Sequence, residues 1–238
     1  MTLTALAIIG VAVFVAAFVQ GTIGVGFALI VAPVVSLMEP AQLPVLVLVL
    51  MIPLNLCVVW REHSALDWRG TGWITAGRVV GTFGGLAVLT LLLQWQLDLF
   101  VGVATVGAAL ATLATPVLRL RPATFVSAGL LTGLTETATG IGGPPLALLY
   151  QHQSGPVLRA TIAACFLIGQ VLSLIALLAV GRAAFDQVAL ATLLVPALAA
   201  GGLLSQLSHR AADGRWMRRL VLAFALASGA LLVARALS

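Results

Sequence analysis

The 238-residue chain contains no lysine, a single tyrosine (Tyr150) and only seven acidic residues. Charged residues make up 8% of it, against about 25% in ordinary soluble domains. A chain this poor in charge is excluded as a water-soluble globular protein. All twelve of its cations are arginines, and the high isoelectric point, about 11.0, reflects arginines scattered through loops rather than a basic face. A nucleic-acid partner is therefore not expected. The two cysteines, Cys57 and Cys165, lie in apolar runs and form no CxxC pair, so they indicate no redox compartment. The histidines, His63, His152 and His209, fall in loops without metal-ligand spacing. No metal, no cofactor and no catalytic set is expected, and the chain does not read as an enzyme. The N-terminus lacks the basic start of a secretory signal, and its apolar stretch runs beyond Pro33, so it reads as part of the mature structure.

What the sequence does have is apolar length. Hydrophobic residues are 61% of the chain, and the mean hydropathy is +1.17. A bilayer core about 30 Å thick needs roughly 20 apolar residues as helix, and residues 43–60, 72–93, 99–118, 160–180, 188–207 and 220–237 fit that length without interruption. Trp60, Trp68, Trp73, Trp95 and Trp216 fall near the ends of these segments, as an interfacial aromatic belt requires. Segments 3–37 and 123–150 are too long for one straight span. Each carries a glycine-rich break, Gly21-Thr22-Ile23-Gly24-Val25-Gly26 in the first and Thr139-Gly140-Ile141-Gly142-Gly143-Pro144-Pro145 in the second. Opened backbone at membrane depth is tolerated only where protein buries it or it lines a cavity. Paired breaks in the two halves of a chain are the sequence pointer to a transporter's binding site.

The halves resemble each other beyond the glycines at an offset of roughly 115 to 120 residues once gaps are allowed. Ala65-Leu66-Asp67 matches Ala184-Phe185-Asp186, Gly84-Gly85 matches Gly201-Gly202, and Asn55 falls near Gln170, an intramembrane amide in the same helix of each half. A glycine- and leucine-rich chain aligning with itself by composition is the alternative. The expected division is a repeat over residues 1–120 and a second over 121–238, together one transmembrane domain.

Arginine placement sets the orientation of these repeats, because cytoplasmic loops carry the excess positive charge. If each interrupted segment crosses once, the loop arginines divide six against five. If each returns to its starting side, Arg61, Arg69, Arg119, Arg121, Arg159, Arg210, Arg215, Arg218 and Arg219 share one side and only Arg182 and Arg235 the other. The second division obeys the rule. The expected fold is thus an all-α integral membrane protein of two inverted-topology repeats, each a re-entrant or paired short segment plus three transmembrane helices, with eight to ten helical segments and both termini outside the cytoplasm. The second return arm, from Leu146 to about Gln151, rises about 9 Å and suits a half-helix.

Pro144-Pro145 reads as a half-helix start, since proline suits the first turn, and a second half-helix is expected near Phe27. Unpaired amides and the positive dipole end of such helices favour an anion. The candidate substrate-binding residues are Gln20, Thr22, Gly24, Gly26 and Phe27 at the first break, Thr137, Thr139, Gly140, Gly142, Gly143 and Pro144 at the second, with Asn55, Arg78 and Gln170 from the neighbouring spans. Threonines here, Thr135 included, equally suit the satisfaction of carbonyls at a helix kink. Glu136 is the one acidic residue inside the apolar segments as drawn above, on the order of 20 Å beyond Arg121 if helical. Ionisable groups at that depth are functional candidates, and Glu136 is the proton-coupling candidate. Arg78, about 9 Å into its span, is expected either to snorkel to the surface or to reach Glu136 or substrate.

Residues 21–33 and 133–145, the latter with its Gly-Ile-Gly-Gly-Pro core, together with the Asn55 helix and the Arg61 to Arg69 loop carrying Leu66-Asp67-Trp68, resemble the TauE/SafE family of sulfite and sulfonate exporters. The resemblance spans nearly the whole chain. It implies a permease for sulfite, sulfoacetate, taurine-related compounds or other small organic anions in a bacterial inner membrane. At Phe27 this chain departs from the commoner pattern, which has a further glycine, and that implies a narrower or less polar first half of the site. The expected function is a secondary transporter of small anions working by alternating access, with proton coupling one option. Its partners are the anion and the bilayer, a homodimer being left open. The alternatives are a passive anion channel on the same site and a thiol-redox carrier using Cys57 and Cys165.

Overall fold

The structure is a computed structural model that describes residues 2–24, 26–114, 118–208 and 214–237. Among these residues it is all-helical, without a strand. Ten α-helices follow in order: α1 Leu3–Ile23, α2 Phe27–Met38, α3 Val45–Glu62, α4 Trp68–Leu91, α5 Gln94–Ala114, α6 Pro122–Thr139, α7 Gly143–Tyr150, α8 Gly155–Ala179, α9 Phe185–Ser208 and α10 Gly214–Leu237. Six of them, α1, α3, α4, α8, α9 and α10, are long and apolar enough to cross a membrane among the described residues. Large apolar side chains such as Val80, Phe83, Leu178, Leu193 and Leu231 point outward from the bundle. Outward apolar surface on this scale matches lipid rather than water as the solvent. Trp60, Trp68 and Trp95 are exposed at or beside helix ends.

Both interrupted segments fold back, and each does so as one long helix followed by one short helix. α1 ends at Gly24, whose φ of 86° is left-handed and whose amide donates to the Gln20 carbonyl at 2.8 Å. α6 ends in the same way at Gly140, φ 81°, with its amide donating to the Glu136 carbonyl at 2.7 Å. Glycine is the residue that closes a helix in this conformation without a Cβ clash. After the second turn the chain doubles back on itself: a Cβ on Gly142 would lie 2.9 Å from Thr132, ten residues earlier. α7 then runs back along α6 until Tyr150 stacks on Phe125, with ring centroids 6.1 Å apart. The return arm begins at Gly143, with Pro144 and Pro145 in its first turn as their residue type indicates, so it extends three residues further back than the Leu146 to Gln151 arm.

The first segment returns likewise. α1 runs parallel to α9, with Gly10 beside Leu194 and Gly21 beside Ser205. α2 leads back to the end where α9 begins, and there the Gln187 amide donates to the Ala41 carbonyl at 2.7 Å. The other long helices pair closely, α4 on α6, α3 on α8 and α5 on α10. The α4–α6 seam is a glycine ladder in which a Cβ on Gly77, Gly81 or Gly85 would collide with the carbonyl oxygens of Val126, Leu130 or Leu134. Small residues at such spacing let helix backbones touch, which is how helices associate where no hydrophobic effect drives them together.

One expectation is corrected here. α5 begins at Gln94, five residues before the apolar run at 99, and so takes Asp98 into the bundle at 8% exposure. Glu136 is therefore not the only acidic side chain within a helix of the core.

Candidate functional site

The two breaks meet at one cavity of about 160 Å³. Gly26, Ala28 and Leu29 from the start of α2 border it on one side, and Gly142, Gly143 and Pro144 from the start of α7 on the other. First-turn amides have no partner inside their own helix, and at both helix starts they carry the positive end of the helix dipole. The Phe27 amide is already taken, donating to Gln20 Oε1 at 3.1 Å. α7 offers fewer amides than α2, because Pro144 and Pro145 have none. Met51 of α3 and Phe166 of α8 form walls from the long helices. Among the described residues that line it, none carries an ionisable side chain.

Behind the Phe166 and Gly142 walls lies a polar network drawn from four helices. Arg78 of α4 and Glu136 of α6 are fully buried and ion-paired, the arginine Nη2 donating to the carboxylate Oε2. The other carboxylate oxygen accepts from Gln170 Nε2 at 3.3 Å. Gln170 Oε1 in turn accepts from Asn55 Nδ2 at 3.2 Å. Arg78 thus does not reach for a membrane surface, the first of the two expectations for it. Space for its guanidinium comes from Gly169, where a Cβ would overlap the arginine Cζ. The Phe166 ring covers one face of the guanidinium, with Cζ 5.7 Å from the ring centroid. A Cβ on Gly142 would lie 3.1 Å from Glu136 Oε2, so the carboxylate sits directly behind the second bend.

The threonines serve the backbone and their neighbours. Thr22 Oγ1 donates to the carbonyls of Val19 at 2.8 Å and Phe18 at 3.2 Å. Thr135 Oγ1 donates to the Leu131 carbonyl at 2.9 Å. Thr139 Oγ1 donates to the Thr135 carbonyl at 2.7 Å and accepts from the Ile141 amide at 3.1 Å, bracing the turn at Gly140. Thr137 bonds Ser173 of α8 at 2.7 Å. Gly24 packs on the aliphatic part of Arg159, and Arg159 Nε donates to both oxygens of Glu62 at 3.1 and 3.0 Å. Val25, His209 and Arg210 lie outside the described residues, as do the side chains of Arg215, Trp216 and Arg218.

Several participants had no signal of their own in the sequence. Phe166 and Met51 read as ordinary apolar residues. Their only mark is position, each four residues before the amide of its helix and hence on the same face. Asp98 accepts from Ser36 at 3.1 Å and Gln94 at 3.2 Å in a separate cavity of about 220 Å³. Asp67 caps α4, accepts from the Tyr150 hydroxyl at 2.8 Å and donates its amide to Thr161 at 3.1 Å, which ties the end of α7 to α4 and α8. Cys57 is exposed and Cys165 buried, and both are free thiols. The described residues contain no group of three histidine, cysteine or acidic side chains able to hold a metal.

Six helices long and apolar enough to cross a membrane, α1 among them, and two broken segments whose short arms start at a shared cavity define a multi-pass integral membrane protein. The chain belongs to the family described as Sulfite exporter TauE/SafE, whose sequence model matches residues 9–232. This is a family of membrane transporters, in agreement with the resemblance carried by the glycine breaks. No curated protein matches the chain, and no solved structure does.

Proposed function

We propose that the chain is a secondary transporter that exports a small sulfur oxyanion, sulfite or an organosulfonate, across a bacterial inner membrane by alternating access. The observation that carries this reading is the cavity shared by the first turns of α2 and α7. Two converging helix N-termini supply fixed partial positive charge and backbone donors to an anion without the desolvation cost of burying a free cation beside it. The family description supports the sulfur chemistry.

Alternating access rests on an inverted repeat, α1–α5 against α6–α10. Exchanging the halves carries the α1–α9 pair onto α6–α4, carries α2–α10 onto α7–α5, and leaves α3–α8 and α5–α10 in place; all of these are close packings in the bundle. Asn55 and Gln170, bonded to each other, are 115 residues apart. Met51 and Phe166, which both line the cavity, have the same separation. Five helices per half is an odd number, which turns the second half over. With both segments returning, the excess of arginine in cytoplasmic loops favours an orientation with both termini in the periplasm. Glu136 is the proton carrier in this scheme, since a proton on its carboxyl loosens its hold on Arg78.

Counterflow in proteoliposomes tests the reading. Vesicles preloaded with unlabelled sulfite should accumulate labelled sulfite transiently above its external concentration. Simple equilibration would indicate a channel, and absence of any flux would overturn the proposal. Glu136→Gln should remove the pH dependence of this flux, and a pH dependence identical to that of the parent would exclude the carboxyl as carrier.

A further inference from the structure

We infer that Arg78 is a second contact for the transported anion, and that the Phe166 ring is the gate that separates it from the cavity. This rests on the proposed anion site and adds the residue that reads the substrate's oxygens. Phe166 belongs to two environments at once: it is a wall of the cavity, and it lies 5.7 Å from the Arg78 Cζ. Only one guanidinium nitrogen, Nη2, is engaged by Glu136; Nε and Nη1 are buried without a hydrogen-bond partner. Buried donors left unpaired are costly, more so on a charged group, and such groups in a folded protein call for an explanation.

A ligand in the cavity supplies one. When Phe166 turns aside, an anion seated between α2 and α7 meets the guanidinium donors that nothing else satisfies. An oxyanion with several oxygens can accept from these donors and from the helix amides together, which a single-centred halide cannot. Glu136 need not be left stranded by this exchange, because its second oxygen is already held by Gln170. Gly169 lets the guanidinium lie directly against α8, three residues past Phe166, so a single ring stands between it and the cavity.

The test is dicarbonyl labelling of arginine, read by peptide mass spectrometry on the full chain in detergent. Methanesulfonate is the protecting anion, because it does not consume the reagent as sulfite does. Phe166→Ala should label Arg78 about tenfold faster than the parent, and saturating methanesulfonate should restore the slow rate. Phe166→Leu, a milder change, should give the same direction should the alanine variant fold poorly. In parallel, Arg78→Lys keeps the charge and loses the planar donors, and it should weaken methanesulfonate binding about tenfold. Labelling that does not change in either Phe166 variant, or acceleration that methanesulfonate does not reverse, would overturn the inference. A parent protein that shows counterflow alongside such a result would leave the transport reading intact, whereas a parent that shows neither counterflow nor anion binding would remove both.

Discussion

The first and second bends are built on one plan and stabilised by different chemistry. In each, a polar residue stands four positions before a left-handed glycine, Gln20 before Gly24 and Glu136 before Gly140. At the first bend the Gln20 side chain turns back and caps the short helix by accepting from Phe27. At the second bend the equivalent Glu136 turns outward into the bundle, pairs with Arg78 and joins a chain of amides through α8 to α3. The first bend is thus capped locally by a neutral amide, with the Arg159–Glu62 pair packed against Gly24, whereas the second carries a charged group of its own that reaches across the bundle. The first bend keeps the backbone solution and the second adds ionisable chemistry to it. The asymmetry places the buried ion pair at the α6–α7 hairpin, against the glycine-laddered seam of α4 and α6.

Removing the distinguishing group should have the largest effect. Glu136→Ala leaves Arg78 buried and uncompensated, and should cost about 3–5 kcal/mol of stability, measured as a shift in reversible unfolding in mixed detergent. A cost close to that of an ordinary polar deletion would mean that the two bends do not differ in the way described. A smaller effect is expected at the seam that holds the charged hairpin. Gly81→Ala pushes a methyl group into the Leu130 carbonyl and should cost about 1–3 kcal/mol by overpacking. Gly10→Ala, on α1 where a Cβ meets only a side-chain methyl at 3.7 Å, should be near neutral in the same assay. Equal losses at Gly10 and Gly81 would show that contact with a facing backbone is not what makes Gly81 necessary. Gln20→Ala should cost the least of the destabilising changes, about 1 kcal/mol, as expected for loss of a helix cap. A loss as large as that of Glu136→Ala would place hidden charge chemistry at the first bend as well.

Much of the fold was legible in the sequence because its determinants are one-dimensional. Apolar run length marks spans, Gly24 and Gly140 mark helix ends, and Pro144-Pro145 marks a helix start. The return of both interrupted segments was legible from arginine counts, since sidedness depends only on how often the chain crosses. Asp98 was missed because a run of hydropathy locates a span's apolar middle and not its polar first turn, here Gln94 to Asp98. The site was only half legible for a related reason. Gly26, Gly142, Gly143 and Pro144 announce themselves by composition, whereas the Arg78–Glu136–Gln170–Asn55 chain exists only once α3, α4, α6 and α8 are docked. Phe166 carries no mark at all as a residue. It acquires meaning from standing between the cavity and a buried guanidinium.

Transport as proposed requires that an anion bind in the cavity between the starts of α2 and α7. The most direct measurement is the thermal unfolding midpoint of the purified protein as sulfite or methanesulfonate is titrated, for the parent and for Leu29→Trp, which fills the cavity from the α2 side. A ligand that binds only the folded state raises the midpoint in step with the logarithm of its concentration above Kd. The midpoint should rise in this way for the parent and stay level for Leu29→Trp. An equal rise in both proteins, or none in the parent with either anion, would contradict anion binding in this cavity.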